Sequence, residues 1–180
     1  MIPGMNLMKL AKLIGEKELN DRITAIGKSL TDQFKGQDVW AVCVLKGSFM
    51  FYADLIREID TEVFCEFIGV SSYQDSMASS GEVKITMDVS APLKGKHVLL
   101  IEDIVDTGLT MNFLKAHLKA RNPKSITTAA LLLKPGALKV ECPLDHVGFE
   151  IANDFVVGYG LDYQGMYRNL PYIAQVQSMN

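Results

Sequence analysis

Val98-Leu99-Leu100-Ile101-Glu102-Asp103-Ile104-Val105-Asp106-Thr107-Gly108-Leu109-Thr110 is the stretch from which the fold is read. An apolar run breaks into three acids and then into glycine and small hydroxyl residues. Val98 to Ile101 have the β-branched and leucine content of a strand covered on both faces, the pattern of a parallel sheet in an α/β protein. Ligands of such sheets sit beyond the carboxyl ends of the strands, so the predicted strand Val98–Asp103 delivers a site to its own tip. Asp106 to Thr110 then leads into a predicted helix, Met111–Leu118, with Phe113, Leu114 and Leu118 on its inward face. Free N–H groups and the dipole at that helix start, with the hydroxyls of Thr107 and Thr110, suit a phosphate. Gly108 lets the backbone approach closely.

The acids need partners other than that phosphate. Two like unit charges about 4 Å apart repel by roughly 4 kcal/mol at an effective dielectric near 20. At a strand tip, Glu102 and Asp103 would instead accept hydrogen bonds from sugar hydroxyls or face a hydrated magnesium ion. A ribose phosphate satisfies both halves of the segment. No GxxxxGK[ST] occurs, so the phosphate site is not a P-loop.

The 180 residues suit one domain with a sizeable core, and 48% hydrophobic with 22% charged residues is the composition of a globular protein. A net charge of -3 argues against broad nucleic-acid or membrane-surface binding. Cys43, Cys65 and Cys142 show no CxxC spacing and are read as buried small hydrophobes. His97, His117 and His146 have no metal-ligand spacing. Met1 to Ile14 is interrupted by Lys9 and Lys12, no signal-peptide core forms, and no apolar run approaches the ~18 residues of a membrane span, so a cytoplasmic setting is expected.

Leu19, Ile23, Ile26, Leu30 and Phe34 recur at helical spacing and predict a helix over Glu16–Phe34. The rest alternates: strand Val39–Leu45, helix Phe49–Ile59, strands Val63–Val70, Val83–Asp88 and Val98–Asp103, the helix above, then strands Ile126–Leu133, Val147–Ile151 and Phe155–Tyr159. Alternation of this kind indicates βαβ units. Ser71 to Glu82, poor in core formers, reads as a flexible loop.

Further chemistry lies at four places. Val44-Leu45-Lys46-Gly47-Ser48-Phe49 puts a cation, bare amides and a hydroxyl at a strand-to-helix turn, which suits an anion. Ser71 to Val83 is a loop which, beside a site, becomes a water-excluding lid. Lys134 ends the apolar strand before Pro135-Gly136 and by itself is a snorkelling surface charge. Asp154 to Tyr163, then Tyr167 to Ile173, compose a strand, a polar turn and an edge segment, with Phe155 placed in the core.

From Glu102 to Thr110 the chain resembles the phosphoribosyl pyrophosphate (PRPP) signature of the type I phosphoribosyltransferases. The other segments, in order from about Val39 to Ile173, resemble the hypoxanthine-guanine phosphoribosyltransferases. The resemblance implies the type I phosphoribosyltransferase fold: an α/β domain over 1–180, with a mostly parallel central sheet, flanking helices and a small hood made by the chain ends. That hood spans about 147–180 plus the N-terminal segment. It implies transfer of phosphoribosyl from PRPP to hypoxanthine or guanine, magnesium as cofactor, and a homodimer or homotetramer.

By position, Asp106 becomes the general base, and Glu102, Asp103, Asp106, Thr107, Gly108, Leu109 and Thr110 the PRPP loop. Leu45, Lys46, Gly47 and Arg168 hold pyrophosphate, with a cis peptide between Leu45 and Lys46. Ser72 and Tyr73 belong to the lid over about 71–82. Lys134 donates to the exocyclic oxygen of a 6-oxopurine, Phe155 stacks on the base, Val156 reads its edge, and Asp162 joins Glu102 and Asp103 around magnesium. The family commonly carries an arginine a few residues after Lys134, where this chain has Pro135-Gly136-Ala137-Leu138-Lys139, and Lys139 is the available substitute. A non-catalytic regulator on this fold would keep the phosphate loop but lose the lid or the turn; both segments are present here.

Overall fold

Apolar runs with β-branched residues build the larger of two sheets. A computed structural model describes residues 9–72 and 83–178. Strands β2 (Val39–Leu45), β3 (Val63–Ser72), β4 (Val83–Met87), β5 (His97–Val105), β6 (Ser125–Leu133) and β7 (His146–Glu150) form a six-stranded sheet in the order β4-β3-β2-β5-β6-β7. Only β4 runs antiparallel. Along β2, Ala41 and Cys43 face one core while Trp40, Val42 and Val44 face the other; Leu99 and Ile101 against Val98 and Leu100 repeat this in β5. Successive side chains of a strand point to opposite faces, so a strand covered on both sides must be apolar throughout.

Helices α1 (Glu16–Gln33) and α2 (Phe49–Arg57) cover the first face, burying Leu19, Ile23, Ile26 and Leu30, and Phe51 and Leu55. Helix α3 (Leu109–Lys119) covers the second through Met111, Leu114 and Leu118. The expectation for Phe113 is corrected: it is 38% exposed, because the apolar face runs through Met111 instead. Helix α2 ends at Arg57, two residues before the expected Ile59.

A second, three-stranded antiparallel sheet has the order β1-β9-β8, from β1 (Lys9–Ile14), β9 (Ile173–Ser178) and β8 (Val156–Val157). The chain ends thus meet in a small layer, as expected. Its boundary needs correction: residues 146–150 pair in parallel with β6, so they are an edge of the large sheet rather than the start of the hood. The lid residue Tyr73 and the lid segment 73–82 lie outside the described residues; Ser72 ends β3.

The large sheet reverses direction between β2 and β5. From β2 the chain adds β3 and β4 on one side, then returns to place β5, β6 and β7 on the other. Such a reversal opens a crevice at the carboxyl ends of the two central strands. Those ends are Leu45-Lys46-Gly47 and Glu102 to Asp106.

At the opposite end of the sheet His97 lies 2.7 Å from Ser125 Oγ through Nδ1, while its buried Nε2 has no partner. Burial, then the charge of Lys124, holds its pKa below the usual imidazole value; burial and Arg22, opposed by Asp145, do the same for His146. The unfolded chain therefore binds more protons. Stability from these two groups is full above the unfolded value of 6.5 and is lost as pH falls through the folded values. Each contributes a slope of at most about 1.4 kcal/mol per pH unit. A His97→Gln, His146→Gln double variant is expected to lose less stability than the parent between pH 7 and pH 5 in urea denaturation; parallel curves would contradict this.

Candidate active site

Strand β5 does not stop at the acids. It pairs with β2 only as far as Ile101, but its ladder with β6 continues through Ile104↔Leu132 and Val105↔Leu133. Glu102 and Asp103 therefore lie within the strand rather than at its tip, which corrects the expectation for both. Glu102 is only 9% exposed, and its Oε2 has no hydrogen-bond partner. Burial, then the neighbouring charge of Asp103, pushes its pKa well above the usual carboxylate range. Asp103 is raised to about 6, chiefly by burial, although the Ile104 N–H donates to its Oδ1 at 2.8 Å and Arg168 lies near enough to oppose the rise.

Beyond Val105 the chain turns through Asp106, Thr107 and Gly108 into α3. Gly108 is left-handed at φ 81°, and a Cβ there would sit 2.9 Å from Cys142 Cβ, so the turn needs glycine on both counts. The Leu109 N–H points toward Thr107 Oγ1 at 3.4 Å. Glu102, Ile104 to Gly108, Thr110 and Met111 line a cavity of about 80 Å³ at this helix start. Its lining brings together backbone amides, the Thr107 and Thr110 hydroxyls and Glu102, the donor and acceptor set a sugar phosphate requires.

Lys134 comes to the same place. It is 8% exposed, and the Lys134 N–H donates to Val105 O at 2.9 Å. Its Nζ stands 3.5 Å from Asp106 Oδ2, while the Asp106 side chain is half exposed. Lysine is buried in this way only when paired. Lys139 is exposed and reaches the loop through its backbone, the N–H donating to Thr107 O at 3.0 Å.

The β2 end supplies the facing wall. The Leu45-Lys46 peptide is cis. Gly47 lies so close to Asp103 that a Cβ would fall 1.5 Å from Oδ2, so only glycine leaves room for that carboxylate. Ser48 is buried and its Oγ donates to Val44 O at 2.6 Å, closing the turn; Lys46 is exposed.

The segment after β8 closes over this wall. Arg168 donates to Gly160 O through Nη1 at 2.6 Å and pairs with Asp162 Oδ1 through Nη2 at 2.6 Å. Asp162 is thus engaged by a guanidinium. Val156 is buried in β8. Phe155 is 50% exposed, against the expectation of a core residue, and meets Tyr163 edge to face at 5.8 Å. An exposed aromatic ring beside a polar cleft is a surface on which another ring can stack. Cys65 is exposed, whereas Cys43 and Cys142 are buried as expected.

Magnesium takes hard oxygen donors and commonly keeps waters and substrate phosphates beside one or two carboxylates. The unpartnered Glu102 Oε2 and the adjacent Asp103 fit that requirement. Tyr159 and Gly160 lie in the segment singled out from the sequence but were given no role there, and Asp54, which accepts from the Tyr159 phenol, carried no local signal.

A phosphoribosyl transferase domain model matches residues 15–164. The chain is 47% identical over 162 residues to the hypoxanthine-guanine phosphoribosyltransferase of Bacillus subtilis, covering 90% of both chains. It is also 47% identical over 162 residues to the bifunctional protein TilS/HprT of Listeria monocytogenes, of whose length it spans 25%. Among solved structures, a hypoxanthine-guanine phosphoribosyltransferase from Bacillus anthracis superimposes with a TM-score of 0.89 at 41% identity, over 94% of this chain and 99% of that one.

Proposed function

The chain belongs to the hypoxanthine-guanine phosphoribosyltransferases of the type I family, and from that premise we propose that it transfers the 5-phosphoribosyl group of PRPP to hypoxanthine or guanine, giving IMP or GMP and pyrophosphate. The observation that carries this reading is the meeting of Asp106 and Lys134 at the lip of the amide-lined turn. A carboxylate and a buried ammonium there can serve the two polar edges of a purine, while the turn beneath holds a phosphate.

The 5-phosphate is held by the N–H groups of Thr107 to Thr110 and by the Thr107 and Thr110 hydroxyls at the start of α3. Pyrophosphate lies against Lys46, Gly47 and Arg168. Glu102, Asp103 and Asp162 are the carboxylates that would hold magnesium, which when bound would offset charge on the phosphate oxygens. As the C1′–oxygen bond to pyrophosphate breaks, positive charge grows on the ribose. The purine N9 bonds to C1′, and Asp106 takes the proton from N7. Lys134 donates to the 6-oxo group, Phe155 stacks on the ring, and Val156 backbone groups read its edge. Water is excluded by the segment that carries Ser72 and Tyr73.

The reading places the protein in purine salvage, in the cytoplasm, as a homodimer or homotetramer; among the described residues no helix is long and apolar enough to cross a membrane. Incubation with magnesium, PRPP and each of hypoxanthine, guanine, xanthine and adenine, with nucleotide and pyrophosphate measured, tests it. Hypoxanthine and guanine should turn over. Adenine, whose amino group would face the Lys134 ammonium, should do so poorly. Comparable turnover of adenine, or no pyrophosphate with any base, would overturn the proposal.

A further inference from the structure

Tyr159 has no part in the chemistry above, yet its placement is costly. It is 7% exposed and left-handed at φ 48°, between Gly158 and Gly160, both at φ 100°. Three successive residues in that region persist only where their surroundings hold them. The backbone is held by Tyr159 N–H to Leu170 O at 2.8 Å and Gly160 N–H to Arg168 O at 2.9 Å. The side chain crosses to the other sheet's helix layer, where its phenol donates to Asp54 Oδ2 on α2; Asp54 Oδ1 accepts from Arg57.

Helix α2 is the element that begins directly after Lys46-Gly47-Ser48. At the same junction Gly160 rests on that turn so closely that a Cβ would lie 2.0 Å from Gly47 O. Gly47 in turn abuts Asp103. On the hood side, Tyr159 follows β8 by one residue beyond Gly158, and β8 carries Val156 with Phe155 just ahead of it. One phenol therefore ties the segment that would read the base to the helix that carries the pyrophosphate turn.

We infer that the Tyr159–Asp54 hydrogen bond couples the two halves of the site, so that pyrophosphate on the Lys46-Gly47 turn strengthens binding of the base beside Val156. Tyr159 is a positioning residue in this scheme. The inference rests on the proposed function for the identity of both ligands. Coupling through a shared rigid contact is reciprocal, with each ligand changing the other's affinity by the same factor.

The test is a calorimetric titration of hypoxanthine into the whole chain in magnesium, with and without pyrophosphate. The parent protein should bind hypoxanthine at least about 5-fold tighter with pyrophosphate, within the usual range of coupled sites. Tyr159→Phe should reduce that factor below about 2. Asp54→Ala, on a partly exposed helix face, should do the same and carries the test if the tyrosine variant does not fold. Asp54→Asn keeps an oxygen to accept from the phenol and should retain the parent factor. The double variant Tyr159→Phe, Asp54→Ala should lower the factor no further, since each change already removes the shared Tyr159–Asp54 contact. A parent factor near one, or a parent-like factor in Tyr159→Phe or Asp54→Ala, would overturn the coupling. Failure of the parent to release pyrophosphate from PRPP would instead overturn the functional reading.

Discussion

Asp106→Asn is expected to lower kcat with hypoxanthine by about 10²- to 10⁴-fold, the range that a positioned general base contributes. Asparagine keeps the shape of the side chain but takes no proton from N7. The side chain is half exposed on a turn, so the change removes little packing, and it leaves alone the amides and hydroxyls proposed to hold the phosphate. The KM for PRPP should therefore change by no more than about 3-fold. A fall in kcat with constant KM marks an interaction made mainly in the transition state. Equal turnover in steady-state assays of the two proteins would remove Asp106 from the proton transfer, and a loss confined to KM would make it a binding group.

Lys134→Gln is expected to act on selectivity. A charge-assisted hydrogen bond contributes roughly 1.5–3 kcal/mol, so kcat/KM for hypoxanthine should fall about 10- to 100-fold. Glutamine's amide can both donate and accept, so adenine should lose little or improve. The ratio of hypoxanthine to adenine turnover should narrow accordingly. Equal losses with the two bases would mean that Lys134 acts through Asp106, its partner at 3.5 Å, and not through the 6-position of the base.

Much of the large sheet was legible because its central strands are buried on both faces. Val39–Leu45 coincides with the observed strand, and the helical spacing of Leu19, Ile23, Ile26, Leu30 and Phe34 marks α1 within one residue. The errors have specific causes. Glu102 and Asp103 are expected at the strand tip, but pairing with β6 carries the backbone extended to Val105. Lys9 and Lys12 hide β1, in which only Ile14 is buried and which relies on a partner more than 150 residues away. Phe155 is apolar and reads as core, yet stands half exposed. The phosphate turn could be found because its residues are consecutive. The Asp54–Tyr159 contact could not, since it joins residues 105 apart and nothing around Asp54 marks it as a partner.

The sharing of the small sheet by β1 and β9 imposes an order on biosynthesis. During translation Lys9–Ile14 leaves the ribosome before the large sheet, while Ile173–Ser178, the strand that bridges it to β8, is made after all of that sheet. Domains begin folding as they emerge. A nascent chain can thus complete the turn between β5 and α3 while β1 still waits for a neighbour. A chain truncated before Ile173 would keep the large sheet but leave β1 as an open edge, a surface prone to self-association.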